Sequence, residues 1–479
     1  MYLGLDLGTS GLKGLVIAED GTALAEATAP LSVARPHPGW SEQDPADWIA
    51  AAEAVLRVLA RQIDMAGIAG IGLSGQMHGA TVLDASDRVL RPCILWNDTR
   101  AHAQAARLDA DPQFRAVSGN IVFPGFTAPK FVWMAEEEPD LSAQVAKVLL
   151  PKDYLRLWLT GSHVAEMSDA AGTSWLDVGA RDWSDALLAA TGLERAHMPA
   201  LVEGAAPSGG LRAALAQEFG LRAGIPVAGG AGDNAATAIG LGVARGGQGF
   251  VSLGTSGVLF AATDSYAPAP ETAVHTFCHA LPGQWHQMGV ILAATDALNW
   301  FAGIAGVSPA ALTADLDALQ APGRTLFLPY LGGERTPLND AAIRGAFVGL
   351  DHATDRTAAT RAVLEGVVFA IRDCQQALAA TGTQLETLIA AGGGARSDYW
   401  LSALATALDL PILVPEAGDF GAALGAARLG QMAATGATQQ VMPPPPIARE
   451  IVPQADLRDA FSDAHNRYRA AQTAIKELT

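Results

Sequence analysis

Short apolar runs broken by single small or polar residues open the chain, and three of them, at 3–7, 12–18 and 23–28, have the character of β-strands. A Gly/Thr/Ser turn separates the first two and Gly21 marks the second turn, so the pattern predicts an antiparallel meander. Asp44-Pro45 then reads as a helix N-cap and first helical residue. Behind it, Trp48, Ile49, Ala52, Val55, Leu56 and Leu59 recur at the helical period. Strand-like runs follow at 68–73 and 80–83, then a loop around 96–100 and a strand at 147–150 that leads to a helix at 153–159. A strand at 225–228 ends in Gly229-Gly230-Ala231-Gly232-Asp233, ahead of a small-residue helix from Asn234. The second half repeats this grammar. A hairpin over 249–262 precedes helices at 292–302, 309–319 and 357–378. A strand at 387–391 runs into Gly392-Gly393-Gly394, followed by a helix at 398–408, a short strand at 412–414 and a further element at 421–429. Four prolines at 443–446 break the chain before a last helix at 456–478.

One phrase occurs in both halves: Leu-Gly-Thr-Ser-Gly, at 7–11 and again at 253–257, each time between two β-type runs. The tip of such a hairpin offers backbone N–H groups and hydroxyls without bulk, and can wrap a phosphate. Thr9, Ser10, Gly254 and Thr255 occupy the two tips. Two tips in two halves predict two similar domains facing each other across a nucleotide's phosphates. The length, 479 residues, exceeds what one core serves, and the Gly and Arg residues around 242–246 place the expected boundary between domains 1–243 and 244–479. Half the residues are hydrophobic, as in a globular protein, yet no apolar run reaches the ~20 residues of a membrane helix. No basic leader precedes the first strand. Cys93, Cys278 and Cys374 are too scattered for a metal motif or a disulfide framework, so a cytoplasmic protein is expected. The net charge of −18 argues against nucleic acid and anionic membranes as partners. A bound nucleotide must then be neutralised locally, by backbone amides, Mg²⁺ and a few cations.

Asp6 ends a buried strand directly before the first tip, a good place to hold a metal-bound water on Mg²⁺. Asp233 closes a loop so rich in glycine that a plain helix cap does not account for it; a carboxylate there can orient a hydroxyl and accept its proton. Gly392-Gly393-Gly394 bares backbone that can lie against a base and ribose, although alone it reads as an ordinary strand-to-helix turn. Gln76-Met77-His78-Gly79 suits a small polyhydroxy ligand, and Trp96 offers an aromatic face, although each alone is more often structural. Gly332-Gly333-Glu334-Arg335-Thr336-Pro337 is either a charged loop near a cleft or a surface turn. Gly70-Ile71-Gly72-Leu73-Ser74-Gly75 fits the dinucleotide glycine pattern, but a strand-like run follows where that fingerprint needs a helix. The P-loop, GxSxG and HExxH patterns do not occur.

Taken together, these residues resemble the actin-like ATPase superfamily and, within it, the FGGY carbohydrate kinases. Pro124-Gly125-Phe126-Thr127-Ala128-Pro129-Lys130-Phe131-Val132-Trp133 is similar to that family's first signature. Gly345-Ala346-Phe347-Val348-Gly349-Leu350, with Ala362-Val363-Leu364-Glu365-Gly366, is similar to its second. Family-like phrases also stand at 35–45, 76–81, 94–98, 150–156, 167–173 and 332–337, and the resemblance runs from residue 2 to about 429.

The resemblance implies an α/β fold of two actin-like, ribonuclease-H-like domains, each a mixed sheet flanked by helices, with a catalytic cleft between them. The first domain would hold the sugar and the base, the second the nucleotide. It implies phosphorylation of D-xylulose by ATP with Mg²⁺. Asp233 matches the catalytic base and, with Asp6, the acidic residues near the metal. Met77, His78, Asn234 and Trp96 match sugar contacts. Thr9, Ser10, Gly254 and Thr255 match phosphate contacts, and Asn299, Gly393, Gly394 and Asp398 the adenosine side. Partners are small molecules, and a homodimer is compatible. Ala231 departs from an expected glycine, and Thr237 stands where a small residue is usual. Kinases of the same family acting on ribulose, gluconate or glycerol remain alternatives, the Met77-His78 pair arguing against glycerol. A non-kinase actin-like ATPase is the reading from another class.

Overall fold

The chain builds two seven-stranded sheets that share a six-strand arrangement. In the computed structural model, which describes residues 1–314, 316–416 and 421–478, the first sheet comprises β1 (Tyr2–Leu7), β2 (Gly11–Ile17), β3 (Ala23–Pro30), β4 (Gly70–Gly75), β5 (Pro207–Gly210), β6 (Pro226–Ala228) and the short β7 (Ala231–Gly232). Its spatial order is β5-β6-β4-β1-β2-β3, with β7 also paired to β4. The second sheet comprises β8 (Gln248–Leu253), β9 (Gly257–Thr263), β10 (His275–Cys278), β11 (Trp285–Ile291), β12 (Thr387–Ala391), β13 (Ile412–Pro415) and β14 (Ile447–Ile451), in the order β10-β11-β9-β8-β12-β13-β14. Each has three antiparallel neighbours, two strands parallel to its first, and an antiparallel edge strand; the three form a meander in the first sheet, while in the second β10 intervenes in sequence and lies outside β11. The molecule is thus a two-domain α/β fold of mixed sheets, and the expected meander and second hairpin are present.

Burial follows strand position. The central β1 is buried on both faces over Tyr2–Leu5, whereas β3 at the edge alternates exposed and buried residues. Helix α1 (Pro45–Leu59) covers one face, its start capped by the Asp44 carboxylate, which accepts from Ala46 N at 2.9 Å. Trp48, Ala52, Val55, Leu56 and Leu59 are its buried stripe. Helix α2 (Asp233–Leu241) and the long α3 (Arg356–Ala380) belong to the first and second halves respectively. The other face of the first sheet is covered by α4 (Ala422–Thr435), a helix from the second half. It lies so close that side chains on the sheet have no room. A Cβ on Gly72 would stand 1.7 Å from the carbonyl oxygen of Ala426, one on Gly70 2.4 Å from that of Gly430, and one on Gly4 2.1 Å from that of Ala423. On α4 itself, a Cβ on Gly425 would stand 1.8 Å from the Ala236 carbonyl of α2. The Gly70-x-Gly72 pattern therefore seats a helix, with no part in dinucleotide binding. Arg428 of α4 ties the seam further, donating to the carbonyls of Ile239, Gly240 and Pro443 at 2.9–3.0 Å.

Between β4 and β5 the chain makes a long excursion, residues 76–206, with a hydrophobic cluster that includes Phe114, Phe131, Trp175 and Leu187. The helix expected over 309–319 is shorter: it is helical at Pro309–Ala314, residue 315 lies outside the described residues, and 316–319 are not helical. The last helix runs Arg458–Lys476 and packs Tyr468 into the second core, where its hydroxyl meets that of Tyr330 at 2.6 Å. No helix among the described residues is long and apolar enough to cross a membrane.

The seam makes a two-sided prediction about glycine. Gly72→Ala destabilises the protein by about 3 kcal/mol or more, because the obstacle is helix backbone. Gly303→Ala, in an exposed helical position with nothing within 4 Å, stabilises by about 0.5–1 kcal/mol. Thermal melting of the two variants shows shifts of opposite sign.

Candidate active site

Register across three parallel strands assembles the first half of the site. Asp6 of β1 lies opposite Ser74 of β4, and Ser74 opposite Ala231 of β7; Leu7, Gly75 and Gly232 form the next row. Two strand spacings, roughly 10 Å, separate the outer chains. All three strands end at this level. The first hairpin tip continues from β1, Gln76-Met77-His78 from β4 and Asp233 from β7.

Asp233 is the first residue of α2, with Gly232 as the N-cap. Its Oδ1 accepts from the backbone N–H of Asn234 at 2.7 Å and from Asn234 Nδ2 at 3.0 Å, while Oδ2 takes no hydrogen bond among the described residues. Burial pushes its pKa up, and the two bonds from Asn234 hold it back. Thr237 does not intrude: its hydroxyl bonds back to the Asp233 carbonyl at 2.9 Å.

His78 is held in a left-handed backbone conformation, φ +68°. Its carbonyl accepts from Thr127 Oγ1 at 3.1 Å and Lys130 Nζ at 2.9 Å, and its ring stacks on Phe126 with centroids 4.4 Å apart. The segment similar to the first family signature is therefore the mount of His78. Ring Nδ1 lies 2.7 Å from the Gly172 carbonyl. A carbonyl only accepts, so Nδ1 carries the proton and Nε2 is left as an acceptor. Burial pushes the imidazole pKa down to about 3, helped by Lys130 and Arg335, so the ring is neutral. Met77 fits between two glycines: a Cβ on Gly232 would stand 2.9 Å from its Sδ and one on Gly172 3.0 Å from its Cε.

Trp96, 46% exposed, reaches the first hairpin tip. Its Nε1 donates to Thr9 Oγ1 at 3.0 Å, and Thr9 in turn donates to Gln76 Oε1 at 3.0 Å. Gln43 completes the network, with Nε2 on the Thr9 carbonyl at 2.7 Å and Oε1 accepting from Gln76 Nε2 and the buried Trp48. Gln43 was not singled out by sequence; its only signal is an amide inside a family-like phrase.

The second half contributes a cleft of about 680 Å³, lined by Thr295, Asn299, Gly393, Gly394, Arg396 and Trp400 among others. The second hairpin adjoins it: the Gly254 carbonyl accepts from Thr295 N at 2.9 Å and Oγ1 at 2.8 Å, at the start of the helix that carries Asn299. The Thr255 carbonyl accepts from Ala294 N at 2.8 Å. Asp398 is not in the lining. Its exposed carboxylate pairs with Arg449 at 2.5 Å, and the neighbouring Arg396 and Ser397 face the cleft instead. Glu334 and Arg335 do not form a surface turn. Glu334 is buried, accepts from Leu292 N and Arg335 N, and is pushed up to about 8 by desolvation. The Arg335 guanidinium lies 4.8 Å from the Phe123 ring and 3.4 Å from His275 Nε2, linking the two halves.

The FGGY N-terminal domain model for carbohydrate kinases matches residues 1–240, and the corresponding C-terminal domain model matches residues 249–434. The chain is 46% identical over 475 residues to the xylulose kinase of Escherichia coli (strain K12), covering 98% of this chain and 96% of that one. It is 48% identical over 436 residues to the xylulose kinase of Klebsiella pneumoniae, covering 90% of each. Among solved structures, a "xyloylose kinase" from Brucella ovis is 61% identical and superposes over the whole of both chains with a TM-score of 0.99. With family models spanning most of its length and relatives this similar over nearly all of it, the chain belongs to the FGGY family of carbohydrate kinases.

Proposed function

We propose that the protein transfers the γ-phosphoryl group of ATP to the terminal hydroxyl of D-xylulose, giving ADP and D-xylulose 5-phosphate. The observation that carries this reading is the meeting of Asp233 with Met77-His78 on neighbouring strand ends, in a chain whose relatives at 46–48% identity are xylulose kinases. The sugar lies against Trp96 and Met77, with His78 Nε2 accepting from one hydroxyl and Asn234 beside it. Since Asn234 occupies Oδ1 of Asp233, Oδ2 is the oxygen that aims the reacting hydroxyl and receives its proton. The transition state of phosphoryl transfer is loose, so position and charge supply most of the acceleration.

The hairpin tips, with Thr9, Ser10, Gly254 and Thr255, cradle the phosphates, and the cleft at Asn299, Gly393 and Gly394 takes the adenosine. Two carboxylates on strand ends roughly 10 Å apart suit an ion that keeps water between itself and the protein. Asp6 and Asp233 would hold Mg²⁺ in that manner, and the ion would neutralise charge on the β- and γ-phosphates.

A coupled assay of ADP release over ketoses, aldonates and polyols tests the substrate: D-xylulose gives the highest kcat/KM, and a higher value for ribulose, gluconate or glycerol overturns it. Asp233→Asn lowers kcat by about 10²–10⁴-fold with ATP affinity retained. In the wild type, activity falls as pH drops and the base protonates. Because burial raises the Asp233 pKa, the midpoint of this acid limb lies above the ordinary aspartate value of about 3.9. Trp96→Phe keeps an aromatic face and loses the bond to Thr9. The ATP KM then rises about 2- to 10-fold, as expected for one hydrogen bond, with the sugar KM nearly unchanged; steady-state kinetics in both substrates separates the two.

A further inference from the structure

Two family-like phrases, at 150–156 and 167–173, take no part in the chemistry above, yet they converge directly beneath it. Lys152, Asp153, Arg156, Glu166, Ser168 and Asp169 are all fully buried. Lys152 Nζ stands 2.8 Å from Asp153, 3.2 Å from Glu166 and 2.9 Å from Asp169. Arg156 pairs with Asp153 at 2.6 Å and donates to the carbonyls of Val164 and Gly229. Buried ion pairs add little net stability over apolar packing of the same volume. What this cluster does fix is the chain above it.

Glu166 accepts from the backbone N–H of Ser168 at 2.7 Å and of Asp169 at 2.9 Å, and it also accepts the Ser168 hydroxyl proton at 2.8 Å. With its proton committed to Glu166, Ser168 Oγ presents lone pairs to the backbone N–H of Gly232 at 3.1 Å. Gly232 immediately precedes Asp233. The turn that presents Asp233 is therefore gripped at two points, the Gly229 carbonyl by Arg156 and the Gly232 amide by Ser168. Four residues along the same segment, the Gly172 carbonyl holds Nδ1–H of His78. Between these points the chain is two successive helical turns, Met167–Ala170 and Ala171–Thr173.

We propose that Ser168 is a positioning residue for Asp233, and that the segment 166–173 is a common mount fixing the distance between the base and the sugar-facing His78. The proposal rests on the kinase reading above. Its test is run on whichever sugar the wild-type enzyme turns over best, so a wrong sugar and a wrong role for Ser168 give different results. Ser168→Ala lowers kcat about 10- to 100-fold, the scale of a misplacement of about 1 Å. The KM for sugar and the Kd for ATP each stay within threefold of wild type. Amide hydrogen exchange of a peptide covering 229–235 speeds up, while a peptide covering 253–257 is unchanged. Ser168→Cys, which keeps a weaker acceptor, has an intermediate kcat. Wild-type kcat in S168A overturns the proposal, and so does a loss of kcat matched by an equal loss of ATP affinity. If S168A does not fold, S168C decides: lowered kcat at unchanged ATP affinity supports the role, and wild-type kcat removes it.

Discussion

Three parallel strands ending at one level are the constraint on which the site depends. Because Asp6, Ser74 and Ala231 share a row and Leu7, Gly75 and Gly232 share the next, the residues that follow each strand emerge side by side. A one-residue slip in any of the pairings would turn its strand over and bury what now faces the cleft. Each emerging segment is then locked from below: the hairpin tip by Gln43 and Gln76, His78 by Thr127, Lys130 and Phe126, and the Asp233 turn by the buried charges.

The electrostatics are economical in cations. The chain carries −18 overall and is proposed to bind an anionic nucleotide. Around His78 the nearby cations are themselves disfavoured: Lys130 is pushed down to about 7 by burial, and Arg335 is also lowered. The imidazole stays neutral among them, which makes it a fixed hydrogen-bonding group. In the proposed reading, charge on the phosphates would be met by hairpin amides, a metal ion and the few cations near the cleft, such as Arg396.

Features set by short-range chemistry could be read from the sequence. Period-two runs and glycine turns announced both hairpins, and Asp44-Pro45 announced α1. Gly-rich strand ends marked both the Asp233 turn and the 392–394 loop, and Asn234 was one residue late as the start of α2. Features that depend on distant parts of the chain stayed hidden. Nothing local at Asp398 shows that Arg449, far along the chain, draws its carboxylate away from the cleft. Nothing local at Glu334 shows burial, since beyond the neighbouring Arg335 amide its partner is the backbone N–H of the distant Leu292. The glycines at 70 and 72 could be excluded from dinucleotide binding, but their purpose lies in a helix hundreds of residues later.

That helix bears on how the molecule is made. During synthesis the first sheet is complete long before α4 leaves the ribosome, and the face that α4 will cover is nearly bare of side chains along Gly4, Gly70 and Gly72. A nascent chain holding only the first half has backbone and a few apolar groups open to water where its last structural layer belongs. Final closure of that domain therefore waits until α4 has been made, and the order of synthesis, more than the order of the strands, sets the window in which the unfinished protein is open to misassembly.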